Sequence, residues 1–210
     1  LDSEFNGVDF GHSNLYENLL LTGGQDVPAI EERARKQTIA FIATKPRLNP
    51  NEEAIAPTYM KLAWRAQNTF DEAHALHRAT YDIAVSDEPE KDRAIRNVLA
   101  YYKDSAYAIT SKRLDHHRLD QFPYSKAFRT RFPLFNATIW SYHYLQVAVY
   151  DPLQAARDLA AKTQAVRPIL ATYRRYLEQP PVQWTFMPLT AELSPQFAAR
   201  YPELANIFDN

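Results

Sequence analysis

Apolar residues recur every three or four positions along most of this chain, which is the pattern of amphipathic helices. The clearest case runs from Thr58 to about Val85 and predicts one long helix. The segment from Leu134 to Tyr150 is apolar on nearly every side, so we expect a helix buried at the centre of the fold. Three further helices are predicted, at residues 28–45, 89–109 and 152–178.

Glycine is confined to one end of the sequence. The four glycines are Gly7, Gly11, Gly23 and Gly24, and the rest of the 210 residues contain none. Hairpin turns and phosphate-binding loops depend on glycine, so the Rossmann and P-loop fingerprints are absent and a sheet-rich body is disfavoured. Turns must therefore be formed by residues other than glycine. Asp87 and Glu90, for example, have the spacing of a helix-capping box. The predicted fold class is all-α, an irregular bundle of about five main helices with extended N- and C-terminal arms.

The chain divides into three segments by its pattern. Residues 1–27 are polar and contain all the glycines, so we expect an irregular N-terminal arm. Residues 28–178 form the helical bundle. Pro180 and Pro181 then end the last long helix, and residues 179–210 are expected to be an extended C-terminal arm with short helical turns. Arms of this kind suggest docking on a partner.

Charge and composition narrow the classes of partner. The chain has 24 Lys and Arg against 25 Asp and Glu, and this near-neutral balance argues against nucleic acid. It contains no cysteine, which excludes thiolate zinc sites, iron–sulfur clusters and disulfides.

No apolar run approaches the roughly 20 residues of a transmembrane helix. The chain begins at Leu1 rather than Met, which slightly favours an extracytoplasmic protein, periplasmic or secreted, over a cytoplasmic one.

Histidines on the predicted long helix are the candidate metal ligands. Asp71, His74 and His77 are three residues apart, so they lie on one helix face where two imidazoles and a carboxylate can share an ion. His143 on the central helix would complete the site if it faced His77. Di-iron bundles need such a motif twice, and only this copy is present. The alternative is that His77 packs in the core and that His143 belongs to a satisfied polar network. No cofactor is favoured, and a transition metal or haem is the alternative.

Basic and aromatic residues alternate between positions 112 and 135. Arginine and aromatic side chains are enriched at the centres of protein interfaces, so this stretch predicts a partner-binding surface. The residues proposed for this aromatic–arginine patch are Arg118, Phe122, Tyr124, Phe128, Arg129, Arg131 and Phe132.

The sequence leaves three functions open and does not decide whether the protein is an enzyme. Neither a G-x-S-x-G nor an H-E-x-x-H motif is present. The favoured hypothesis is a non-catalytic accessory or interaction subunit, a helical scaffold that docks on a protein partner through its arms and the aromatic–arginine patch. The first alternative is a metal- or haem-binding helical protein that uses the histidines of the long helix, with oxidoreductase as the activity that such a site would allow. The second is a binder of a small apolar ligand beside Trp140 and Tyr144.

Overall fold

A computed structural model describes residues 1–22, 25–45, 64–104, 127, 130–182 and 189–208. Over these ranges the regular structure is helical and contains no strand, which confirms the predicted all-α fold. The helices of the first half are α1 (Asp2–Leu21), α2 (Val27–Ala43), α3 (Trp64–Val85) and α4 (Lys91–Asp104). Those of the second half are α5 (Pro133–Ala148), α6 (Tyr150–Ala155), α7 (Leu159–Glu178), α8 (Leu189–Leu193), α9 (Pro195–Arg200) and α10 (Pro202–Phe208).

Helix α5 is the centre of the bundle. Twelve of its 16 residues are buried, and it contacts α1, α2, α7 and α8. A helix that is apolar on all sides can bury its surface only by having neighbours on all sides, which explains its central position. None of the helices in the described part of the chain is long and apolar enough to span a membrane.

The first 21 residues are folded into the bundle, which corrects the expectation of an irregular segment over residues 1–27. Helix α1 contacts α2 and α5, and its side chains Phe5, Val8 and Leu15 are buried. The glycines that suggested a loop instead allow close packing between helices. A Cβ atom on Gly11 would lie 2.7 Å from the Cζ atom of Tyr142, well inside van der Waals contact, and one on Gly7 would meet Ile42 of α2.

The C-terminal segment also contributes to the core. Short helices start at Pro195 and Pro202, where the sequence indicated helical turns, because proline has the backbone angle of a first helical residue. The buried side chains described between residues 189 and 208 are Leu189, Thr190, Ser194, Phe197, Tyr201, Leu204, Ala205 and Phe208. In the described residues from 189 to 208 the chain therefore packs on the bundle as helices rather than extending away from it.

A buried lysine joins α7 to the end of α3. The Lys162 Nζ atom donates hydrogen bonds to the carbonyl oxygens of Val85 (2.8 Å) and Ser86 (2.9 Å), and to Asp87 Oδ1 (3.0 Å). The last carbonyls of a helix lack partners within the helix and carry partial negative charge, so a cation stabilises them. Asp87 thus pairs with a distant lysine.

We predict that Gly11→Ala destabilises the protein. Alanine alone would favour the helix by about 1 kcal/mol over glycine. The added methyl group must, however, displace the buried Tyr142 ring, and such overpacking costs about 1–3 kcal/mol. Urea denaturation should show a lower free energy of unfolding for this variant. Arg167→Ala, at an exposed position of α7, is the control and should change it by less than about 0.5 kcal/mol. A more stable Gly11→Ala variant would contradict the close packing.

Candidate functional site

His77 lies in the core, where α3 meets α6 and α10. Its Nδ1 atom is hydrogen-bonded to the Tyr150 hydroxyl at 2.9 Å. The imidazole ring stacks on Phe208, with ring centres 3.9 Å apart. Because the ring is buried, this hydrogen bond keeps a polar group satisfied inside an aromatic environment.

Two more rings complete this contact, which we call the aromatic junction and define by Phe5, His77, Tyr150, Phe197 and Phe208. Phe5 of α1 meets the His77 ring edge-on with centres 6.2 Å apart, and Phe197 of α9 stacks on Tyr150 at 4.2 Å. Five helices therefore meet at one place, including the first and last of the described chain. These contacts agree with the alternative in which His77 packs in the core.

The metal site predicted on α3 stays a prediction. The side chains of Asp71 and His74 lie outside the described residues. Among the side chains that are described, no group of three or more histidine or acidic residues is close enough to hold a metal ion.

His143 meets a histidine that the sequence analysis did not select. His12 of α1 is buried, and its ring centre lies 5.0 Å from that of His143, with the rings tilted by 48°. Trp140 contacts His143 edge-on at 5.3 Å. His12 was missed because it lies in a segment expected to be irregular, although it follows Val8 at helical spacing.

The contacts described for His77 and for His143 involve different residues of α1. On α1, Phe5 is the neighbour of His77 and His12 is the neighbour of His143. These two positions are seven residues apart, or about 10 Å along the helix axis. The described contacts thus form two separate histidine environments.

A buried carboxylate links α2 to α5 and α7. Glu31 Oε1 accepts a hydrogen bond from the Thr138 hydroxyl at 2.6 Å and pairs with Arg35 Nε at 2.5 Å. Arg35 Nη1 also donates to the carbonyl oxygens of Leu177 (3.0 Å) and Glu178 (2.7 Å) at the end of α7. Burial raises the pKa of the Glu31 carboxyl, and the Thr138 and Arg35 contacts oppose that rise. In the sequence Glu31 resembles any acidic residue in a first helical turn, so nothing indicated this role.

Only the end of the aromatic–arginine patch can be located. Arg118, Phe122, Tyr124, Phe128 and Arg129 lie outside the described residues. Arg131 is exposed, and its guanidinium carbon lies 5.4 Å from the centre of the Phe132 ring. Phe132 is half-buried against the core, while Leu134 on the first turn of α5 is 40 % exposed. Arg131 and Phe132 thus lie next to the exposed Leu134 at the start of the central helix.

A groove on the outer face of α2 does not match the apolar-ligand alternative. The described residues that line it all belong to α2 and are Ala29, Glu32, Arg33, Lys36, Gln37 and Ala40. Most of these side chains are charged or polar, and neither Trp140 nor Tyr144 is among them.

We expect Tyr150→Phe to lower the free energy of unfolding by about 1–3 kcal/mol, because His77 Nδ1 then loses its hydroxyl partner inside the core. Adding His77→Phe makes both partners apolar, so the double variant should lose less than the sum of the two single variants. Chemical denaturation of all four proteins measures this coupling. Tyr101→Phe is the matched control, since Tyr101 is 77 % exposed. Strictly additive losses would show that the hydrogen bond contributes nothing.

Glu31→Gln should remove a specific pH dependence of stability. The pKa of Glu31 is raised above 4.5 by burial, so the folded state binds its proton more tightly than the unfolded state. The contribution of Glu31 therefore falls as the pH rises from about 4.5 through the folded pKa. Unfolding free energies measured from pH 4 to 7 should show wild type losing stability relative to this variant.

Glu32→Gln is the control for this experiment and should show the opposite sign. The exposed Glu32 has a pKa lowered by its hydrogen bond with Lys36, so its contribution is present above pH 4.5 and is lost in acid. If the unfolding free energy of wild type relative to that of Glu31→Gln stayed constant or rose with pH, the assignment for Glu31 would be wrong.

No protein-family model, curated protein or solved structure matches this chain. A function for these residues must therefore come from their own contacts, burial and charge. Those observations separate the buried polar groups, which join helices, from the exposed arginine and leucine at the start of α5.

Proposed function

We propose that this protein is a non-catalytic accessory or interaction subunit, in which a helical body presents the aromatic–arginine patch to a protein partner. The observation that carries the proposal is the group formed by Arg131, Phe132 and Leu134. The arginine is exposed, the leucine is 40 % exposed and the phenylalanine is half-buried between them and the core. An acidic protein surface with an apolar centre fits this group.

The position of the group on α5 favours binding. Helix α5 is fixed by neighbours on several sides, so the residues at its start are held in place before a partner arrives. Association costs conformational entropy, and a fixed surface loses less of it than a mobile one. Arginine and aromatic residues are also those whose truncation most often weakens protein interfaces.

The terminal segments have a smaller place in this proposal than the sequence suggested. Phe5 and Phe208 lie in the aromatic junction, so these side chains are occupied within the protein. A partner that took hold of them would have to open the core. We therefore assign docking to the patch.

The buried titratable groups support a binding role over a catalytic one. Glu31 is held by Thr138 and Arg35, and His77 is bonded to Tyr150. In each case the partner belongs to another helix or to the next turn, so the contact joins parts of the fold.

The proposal is tested by photo-crosslinking in the native host. A benzoylphenylalanine placed at Leu134 should crosslink one protein partner, and the additional change Arg131→Glu should abolish the product because it reverses the charge that the partner meets. The same probe at Leu159 is the control, because that leucine is 78 % exposed at the start of α7 and lies outside the patch. Equal products from both positions, or none from position 134, would overturn the proposal.

A further inference from the structure

We infer that His12 and His143 form a two-imidazole site for a divalent transition-metal ion between α1 and α5. The inference does not depend on the docking patch. His143 is eleven residues beyond Phe132, or about 16 Å along the axis of α5. It also differs from the metal site predicted from the sequence, because His12 replaces the α3 residues as the partner of His143.

The separation of the two rings suits a shared ion. Zinc binds imidazole nitrogens at about 2 Å in tetrahedral geometry, which places the centres of two ligating rings roughly 5 Å apart. The observed separation is 5.0 Å, with a tilt of 48° between the ring planes. The spacing of the two rings therefore matches that of two imidazoles bound to one ion.

Close packing of α1 and α5 produces this arrangement. Gly11 precedes His12, Tyr142 precedes His143, and the absent side chain of the glycine lets the tyrosine ring approach α1. The His12 ring then meets Tyr142 edge-on at 5.2 Å as well as facing His143. The two imidazoles thus lie next to a point of close packing between α1 and α5.

His143 lies at the edge of the buried core. Its side chain is partly exposed, so solvent borders the pair on that side. No third histidine or acidic ligand joins the two rings among the described side chains, so water or a small anion would complete the coordination. Imidazole ligands suit Zn²⁺, Ni²⁺ and Cu²⁺, and Cu²⁺ binds such sites most tightly.

The test is a titration of EDTA-treated protein with Zn²⁺ and with Cu²⁺, in which calorimetry measures the stoichiometry and the affinity of each ion. We expect one equivalent to bind, with Cu²⁺ tighter than Zn²⁺, and the Cu²⁺ spectrum in electron paramagnetic resonance to show two nitrogen ligands. His143→Ala should weaken binding at least about tenfold. His143→Gln is a second variant with a similar side-chain volume, and the melting temperature without metal shows that each variant is folded.

Variants of α3 distinguish this site from the one predicted there. His74→Ala and His77→Gln should leave the affinity within about twofold of wild type, because neither residue belongs to the His12–His143 pair. Loss of binding in these variants but not in His143→Ala would move the ion to α3 and overturn the inference. Absence of saturable binding to wild type at millimolar Zn²⁺ and Cu²⁺ would overturn it as well.

Discussion

The hydrogen bond between His77 and Tyr150 lies where five helices of the bundle meet, and it joins α3 to α6. Stacked and edge-on rings hold α1, α9 and α10 against the same place. Phe5 and Phe208 then close the aromatic junction from the two ends of the chain. Side chains from the first and the last described helices therefore belong to one core, and distant parts of the sequence meet in it.

Much of this fold is visible in the sequence because local periodicity and tertiary packing agree. The predicted helix at 28–45 corresponds to α2, which has Pro28 in its first turn and an apolar inner face. The helix predicted as continuous over 152–178 is divided in the structure into α6 and α7, and Asp158 caps α7 after the break at residues 156–158. The central place of α5 follows from its apolar composition on all sides. In α2 and α5 each local preference supports the same structure, so the pattern alone is sufficient.

Helix α1 shows where the pattern is not sufficient. Phe5, Val8 and Leu15 have helical spacing, but two glycines in the same stretch oppose a helix by about 1 kcal/mol each. What reverses this balance is close contact with Ile42 and Tyr142, residues distant in the chain. No local signal reports such contacts, and with α1 unrecognised, His12 could not be placed beside His143. The sequence does not indicate the ion pair of Glu31 with Arg35 either, because its burial depends on α5 and α7, which are distant in the chain.

The spacing of residues on α1 also separates the surroundings of two histidines. Phe208 stacks on His77 and Phe5 meets it edge-on, so a ligand for that ring would have to displace aromatic side chains and break the bond to Tyr150. His12 lies seven residues beyond Phe5, about 10 Å along the helix axis, and its ring faces that of the partly exposed His143. The ion that we infer for the His12–His143 pair would therefore add a link between two helices already in contact, without opening the core.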